Sequence, residues 1–559
     1  MTPAPASTPC QAPPRRGRRL RLPRLILAGL GLLLAGPVSG QPAYRDAGVS
    51  LSAEASPPGQ PDPRHTLHIG RRTDPETLDP ALSSDPEDWG VIYPCYQHLM
   101  RHGREHGKLS GRLEGDLAEH WAGSAEGTVW TFQLRPGQAF DDGSPVDAAA
   151  VQRTFERLLR LHREPSLQFP REMRVEAAAP LVVRFVLAKP WPAFLEALAG
   201  NGAGIINPRV LAQDPPGPEG RSFLDNHSAG SGAFRLAAWE RGRVLVLKPN
   251  PHYGGAVKPV LQEVRMEIVH DAQGMRLLLE NGALDIAEGL PARQLELLAR
   301  KPLLTVLEAP SFKVTYLCMN HRRSPLDQVA MRQALSWAVD YTGIVRNLEG
   351  GHAHQMRGII PEGMVGHDPE VQQYGTDVEQ ARGLMATLHR PAGLLHLDLV
   401  YSDQEPDAEA IAASVMTSLA PLGVLVHPVE MAHASMHARV DRGDYELALS
   451  TWNPERADPG SFMDAWLDSR NQGRLGNRAF YAHADMDRLL WEASTSANPA
   501  ERMDRYRQAQ RLAVRDAVYI YLFQSRFRLG MRKAVQGFVF NPMLETTYNL
   551  EEMHKAADH

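Results

Sequence analysis

The sequence predicts an α/β protein with mixed sheets, and three observations carry that prediction. Segments with helical spacing of apolar residues (Leu326 to Leu348, Val378 to Leu388, Asp407 to Leu419, Met486 to Glu492, Ala500 to Val514) alternate with short strand patterns such as Leu395 to Tyr401 and Val424 to Pro428. Gly127 to Leu159 reads as a complete strand–turn–strand–turn–helix unit. The chain, at 559 residues, is too long for one core, so three or four units are expected. With 43% apolar and 22% charged residues the composition is globular, which excludes disordered and fibrous classes. A net charge of −5 gives no support for a broad basic surface that would bind nucleic acid.

The first 40 residues are tripartite. Arg15 to Arg24 is a basic run without an acid, Leu25 to Ala35 is apolar, and Val38-Ser39-Gly40 supplies small residues before Gln41. That is the pattern of a cleaved export signal, with an uncleaved N-terminal anchor as the alternative. The apolar run is short for a bilayer span, and no other run in the sequence reaches that length. Arg18-Arg19 hints weakly at twin-arginine export. Residues 41–66, rich in proline, read as a flexible leader.

Within the 127–159 unit, Val129 to Leu134 alternates two sets of side chains at strand period. Arg135-Pro136-Gly137 ends it, Ala139-Phe140 reads as a short second strand, and Asp141-Asp142-Gly143 as a turn. Asp147 is placed to cap a helix carrying Val151, Phe155, Leu158 and Leu159 on one face. Pro215-Pro216-Gly217-Pro218 and Pro391-Ala392-Gly393 read as internal loops.

Candidate chemistry is sparse. Cys10 leaves with the signal; Cys95 and Cys318 stay, either as a pair or as two buried thiols. His352 and His354 form an HxH, and His433 and His437 lie one helical turn apart, so a metal or metal-chelate site is one alternative. Against it, 22 histidines scattered along the chain produce such pairs by chance. No GxSxG elbow, HExxH or P-loop pattern points to an enzyme, and no cofactor is implied.

A series of blocks in order resembles the family 5 extracellular solute-binding proteins, the peptide- and nickel-binding partners of ABC importers. The Thr131-Phe132 to Val151 run is similar to that family's "tyTF.LR.gv.F.dGtp..A.dV" pattern, and Leu78-Asp79-Pro80 to its "LDP" turn. Gly115 to Trp121, Gly230 to Leu236 with Asn250 to Tyr253, Asn281 to Ile286, and Asn320 with Met331 to Asp340 resemble further family segments. The blocks run from about Leu67 to Asn541.

The resemblance implies a bilobal periplasmic-binding-protein fold with a hinge between the lobes and an extra domain on the N-terminal lobe. By that mapping the first lobe draws on residues 67–94, 194–309 and 517–559, the extra domain on 95–193 and the second lobe on 310–516. It implies an exported, periplasmic, monomeric protein that captures a ligand, most simply a short peptide or other small amine, for an ABC permease in the membrane. A receptor or chaperone without transport is the remaining alternative.

The resemblance also places the ligand. Leu447 to Pro459 begins as an apolar strand that breaks at Pro454, and in peptide-binding members that strand edge bonds the ligand backbone. Thr451, Trp452 and Asn453 are thereby candidate contacts, with Trp452 either on the ligand or in the core. Glu455 stands where an aspartate commonly pairs with the peptide's ammonium; the alternative is a loop glutamate paired to Arg456. Ser84 and Asp85, in the acidic 83–89 segment, are expected on the opposite wall, or in a solvated turn with a helix starting near Glu87. His433 takes the place of a cleft tryptophan. Leu449 stands where some relatives carry an arginine, leaving Arg357 and Arg439 as candidates for the ligand's carboxylate.

Overall fold

The computed structural model of the chain describes residues 63–83, 85–211, 219–388, 393–405, 407–454, 456–473, 476–496 and 498–556. The export signal and nearly all of the leader lie outside them, as do Ser84 and Glu455.

Eleven strands form one sheet. In chain order they are β1 (Thr66–Arg71), β2 (Phe234–Glu240), β3 (Val244–Pro249), β4 (Glu263–Ile268), β5 (Ile286–Ala287), β6 (Leu304–Met319), β7 (Ala353–Gln355), β8 (Leu395–Ser402), β9 (Val424–Met431), β10 (Leu447–Trp452) and β11 (Tyr519–Arg532). Their spatial order is β9-β8-β10-β6-β11-β5-β1-β4-β3-β2, with β7 on β11. The pairing is mixed. β8 runs parallel to both β9 and β10, and β1 parallel to both β4 and β5, while β6 and β11 are antiparallel.

β6 and β11, with 16 and 14 residues, are long enough to belong to both lobes. Their ladder runs from Leu304↔Arg532 to Pro310↔Arg526, shifts register, and resumes at Val314↔Gln524. A register shift of this kind bends a strand and frees the residues inside it from the ladder. Here those residues are Ser311, Phe312 and Lys313. The ladder shifts again between Thr315 and Tyr316, and two strands that cross between two apolar clusters with their pairing broken over this stretch form a hinge.

A separate antiparallel sheet is ordered Ala118–Gly123, Val129–Leu134, Val182–Val186, Arg174–Ala179. The helix Ala148–Leu161 packs beside it, its N-terminus capped by Asp147, whose Oδ1 accepts from the Ala150 N–H at 2.8 Å. Phe132, Phe155 and Phe185 fill the space between, edge to face at centroid separations of 5.6 and 5.1 Å. Ala139-Phe140 makes no strand. The turn through Gly143 (φ +80°) closes within four residues, leaving only a single bridge from Ala139 to Pro145. Arg157 of the same helix is fully buried against Asp79 of the "LDP" turn in a two-pronged pair of 2.8 and 2.5 Å.

The expected helix from Leu326 to Leu348 is broken. It runs over Val329–Ala338, stops, and restarts at Tyr341 because Asp340 caps the new start, accepting from the Gly343 N–H at 2.8 Å. Trp89 departs from the layout of cores. It sits on the helix Pro86–Cys95, whose Val91 and Ile92 belong to one apolar cluster, yet is itself buried in another, alongside Phe312, Met543 and Leu544.

Candidate ligand-binding cleft

In open α/β sheets, ligands bind outside the carboxyl ends of parallel strands. On one lobe those ends are Ser402 of β8, Met431 of β9 and Trp452 of β10. The chain continues from them into Asp403 to Glu405, His433 and Asn453. On the other lobe β1 ends at Arg71 and β5 at Ala287, followed by Glu288.

The register explains how the hinge meets this edge. Trp452 pairs with Val314 and Thr451 with Thr315, so Lys313, just outside the ladder, lies where β10 ends. The Thr451 hydroxyl donates to Glu405 Oε1 at 2.7 Å, and Lys313 Nζ lies 3.5 Å from Glu405 Oε2. The two side chains keep 36% and 23% of their surface open, so they line a wet cleft wall rather than a core. Burial alone would raise the Glu405 pKa, but Lys313, the Thr451 bond and nearby His433 together hold it below the usual value. Glu405 in turn raises the Lys313 pKa.

More carboxyls converge on the same lysine. Ser311 bonds Glu545 through its hydroxyl and accepts the Lys313 N–H at 2.8 Å. Glu545 is pushed up to about 7 by burial, against the pull of Ser311 and Lys313. From the opposite lobe, Glu87 is pushed up to about 8 by burial and by its bond and charge contact with Asp85, with Arg71 and Lys313 pulling the other way. Glu349 reaches about 7 through burial and Asp407. Lys313 thus acts on four carboxyls, sharing Glu87 with Arg71 and Glu349 with Arg528.

The structure joins some of the candidates and separates others. Thr451 and His433 meet through Glu405. His433 lies with Nδ1 3.1 Å from Ser402 Oγ, and its N–H donates to Asp403. Asp85 is the N-cap of the helix Pro86–Cys95, accepting from the Glu87 N–H at 3.1 Å, and reaches the cleft through Glu87. Arg71 holds that helix start by donating to the Glu87 carbonyl, and is itself bonded by Glu288 at 3.0 Å. Trp452 is half-buried and packs edge to face on Trp466 at 5.8 Å. Its Nε1 and Asn453 Oδ1 are buried without a hydrogen-bond partner among the described residues. Arg357 is turned to the Val371 carbonyl, and Arg439 to Asp398 and the Asp444 carbonyl.

The histidine pairs are engaged elsewhere. His352 pairs with Glu308 at 2.9 Å, and His437 Nδ1 lies 3.3 Å from Arg478 Nη2. Burial, Arg478 and His433 push the His437 pKa down to about 3. Among the described residues no group of three or more metal-donor side chains occurs. Cys95 and Cys318 are buried free thiols, each pushed up to about 12 by burial.

Lys313, Glu405 and Glu545 are the candidate cleft residues that sequence reasoning did not single out. Ser402-Asp403-Gln404-Glu405, at the end of a predicted strand in an alternating pattern, was the available signal for one of them.

The loop after β10 also reaches the extra sheet. The Arg456 guanidinium lies 5.7 Å from the centre of the Trp191 ring, beside Glu196, which burial and Asp458 push up to about 7.

Comparison with known proteins follows the same outline. The family described as bacterial extracellular solute-binding proteins, family 5, matches residues 112–474. The chain is 42% identical over 494 residues to the probable D,D-dipeptide-binding periplasmic protein DdpA of Escherichia coli strain K12, covering 88% of this chain and 95% of the relative. It is 25% identical over 484 residues to the glutathione-binding protein GsiB of Shigella dysenteriae, covering 85% and 92%. The structure of the periplasmic binding protein DppA from Helicobacter pylori, in complex with the peptide STSA, superposes with a TM-score of 0.78 at 22% identity, covering 88% of this chain and 98% of that one.

Proposed function

We propose, from the premise that the chain belongs to the bacterial extracellular solute-binding proteins of family 5, that it captures a short peptide between its lobes and hands it to an ABC importer permease. It works outside the cytoplasmic membrane; no described helix is long and apolar enough to cross one. The role ends at binding and release, without turnover. The similarity to DdpA supports a dipeptide ligand, with D,D-dipeptides as the first class to test.

The observation that carries this reading is the meeting of Lys313 and Glu405 at the hinge, with Glu87 and Glu545 as surplus carboxyls around them. A free dipeptide presents an ammonium and a carboxylate a few ångströms apart. Lys313 can take the carboxylate while Glu405 and Glu87 face the ammonium; Glu455 remains a proposed third ammonium partner. Trp452 Nε1 and Asn453 Oδ1 offer one donor and one acceptor to the peptide bond. The first lobe on residues 67–94, 194–309 and 517–559, the second on 310–516 and the extra domain on 95–193 are the corresponding proposed units.

The metal-chelate alternative draws on the adjacent His433 and His437, 4.3 Å between ring centres and tilted by 42°. It is weakened because His437 Nδ1 is held against Arg478. Isothermal titration of the mature protein with a D,D-dipeptide, its L,L enantiomer, an N-acetylated dipeptide and a nickel–histidine chelate decides the matter. Saturable binding of a free dipeptide, lost on N-acetylation, is expected. Binding of the chelate alone would replace the peptide reading with the metal one.

A further inference from the structure

We propose that Lys189, Trp191 and Glu196, on the segment after the extra-sheet strand Val182–Val186, are positioning residues for ligand binding. They clasp the lobe that carries β8, β9 and β10 through Arg456 and Trp491, and so set the cleft's affinity for a ligand they do not touch. The inference rests on reading the cleft as a ligand site.

Two contacts cross from this segment to that lobe, with the roles exchanged. The Arg456 guanidinium lies 5.7 Å from the centre of the Trp191 ring, and Lys189 Nζ lies 5.8 Å from the centre of the Trp491 ring. Both are within the about 6 Å over which a cation is drawn to a ring face. Each tryptophan is anchored on its own side. Trp191 stands between Pro190 and Pro192, which restrict the backbone around it, and packs on Phe169 and Phe194 at 6.4 and 6.1 Å. Trp491 is on the helix Ala484–Thr495, whose Met486, Leu489 and Leu490 are buried in the apolar cluster of β8 and β10, while Trp491 itself is 49% exposed.

This seam is built to part. The apolar cluster of the extra sheet, with Phe132, Phe155 and Phe185, is distinct from the cluster of β8 and β10. In the other direction the extra sheet is held firmly, by the buried Arg157–Asp79 pair and by the Asp141 N–H, which donates to the Gly230 carbonyl at 3.0 Å. When the hinge in β6 and β11 moves, the polar seam is therefore the one that opens. Its contact is also unfinished. Arg456 Nε and Glu196 Oε2 are both buried without a hydrogen-bond partner among the described residues. Burial and Asp458 raise the Glu196 pKa while Arg456 pulls it down, so the donor and the acceptor already sense each other. Arg456 lies three residues past Asn453, and the clasp thus grips the loop that leads out of the candidate site.

The test is stopped-flow binding of D-alanyl-D-alanine to the mature protein. Trp191→Leu, Arg456→Met and Trp491→Leu should each speed dissociation about twofold to fivefold, the usual contribution of an exposed cation–π contact, and leave association nearly unchanged. Arg456→Lys, which keeps the cation, should stay near wild type. Trp191→Leu combined with Arg456→Met should dissociate no faster than either variant alone. Melting temperatures verify folding, and the exposed Trp491→Leu carries the test should Trp191→Leu not fold. A second readout needs no ligand. Spin labels at Glu176→Cys and Ala484→Cys, with Cys95 and Cys318 buried away from the reagent, report the distance across the seam by double electron–electron resonance. The clasp variants should shift that distance to longer values. Dissociation rates equal to wild type, or unshifted distances, would overturn the clasp. Failure of D-alanyl-D-alanine to bind the wild type would count against the peptide reading, and the ligand-free distances would still decide the clasp.

Discussion

The Thr451 hydroxyl donates to Glu405 Oε1, tying the last turn-out of β10 to the loop that follows its parallel neighbour β8. The bond fixes one carboxylate oxygen and leaves the other for Lys313, on the hinge. A strand end, a loop and a hinge residue thus share one carboxylate, and movement of any of them changes what that carboxylate sees.

Replacing Glu405 by Gln should weaken dipeptide binding by about 2–5 kcal/mol, since a ligand ammonium would be enclosed without its counter-charge. The apo protein should lose no more than about 1 kcal/mol, because the Lys313 pair is partly open to water. Calorimetric affinity together with chemical denaturation checks both halves. An unchanged affinity would remove Glu405 from the site.

Ligand binding should release protons between pH 6.5 and 8. Glu87 and Glu545, at about 8 and 7, are both largely protonated at pH 6.5 in the ligand-free protein and still partly so toward pH 8, and an arriving ammonium favours their ionised forms. Affinity should therefore rise with pH across this window. Titration heats in phosphate and Tris at pH 7.5 should differ by the released protons times the difference in buffer ionisation enthalpy; equal heats would contradict the coupling.

Stability of the ligand-free protein should fall over the same window. A carboxyl with a raised folded pKa holds a proton that the unfolded chain has already released, so the folded state binds more protons and is penalised as pH rises. His98, His102, His321 and His437, pushed down to about 4, 4, 3 and 3, act in the opposite sense, but only below about pH 6.5. Melting temperatures should fall from pH 6.5 to 8, where the histidines no longer compensate, and saturating ligand should flatten that fall.

Asp79→Ala should destabilise by about 3–5 kcal/mol, because it strands the fully buried Arg157 guanidinium. The double replacement Asp79→Leu/Arg157→Met should recover most of that loss. Urea denaturation measures it, and a double variant as unstable as the single one would show that packing, not charge, is the cause.

Cys95 and Cys318 should not react with a thiol reagent in the folded protein and should both react once it is unfolded in denaturant. They are buried, and their thiolates are disfavoured at pH 8. A disulfide would leave both silent in denaturant as well.

Much of the fold was legible, and the reason differs by element. Asp147 and the helix it caps were readable because a cap and an apolar face are local in sequence. The helix boundaries near Val378, Ala408 and Pro499 follow from the same cues, within one or two residues. The break at Asp340 was not, since the apolar period continues across a residue that prefers to cap. The end of β10 was legible because Pro454 visibly ends a strand pattern. Lys313 was not. Inside β6 it looks like any outward residue of an alternating strand, and only the register shift against β11, a relation between residues two hundred positions apart, turns it into a cleft residue.

The sheet itself carries a consequence for anyone who would divide this protein. β6 and β11 pass from one lobe to the other without leaving the hydrogen-bonded ladder, apart from the register shifts between Pro310 and Val314 and between Thr315 and Tyr316. Separating the lobes at that level would leave each with two severed strands and raw, unpaired backbone along them, the template on which chains stick to one another. Neither half is a module to be swapped, displayed or expressed by itself. Insertions of a reporter belong instead at exposed tips such as Gly107 and Gly242, where an added Cβ would meet nothing within 4 Å.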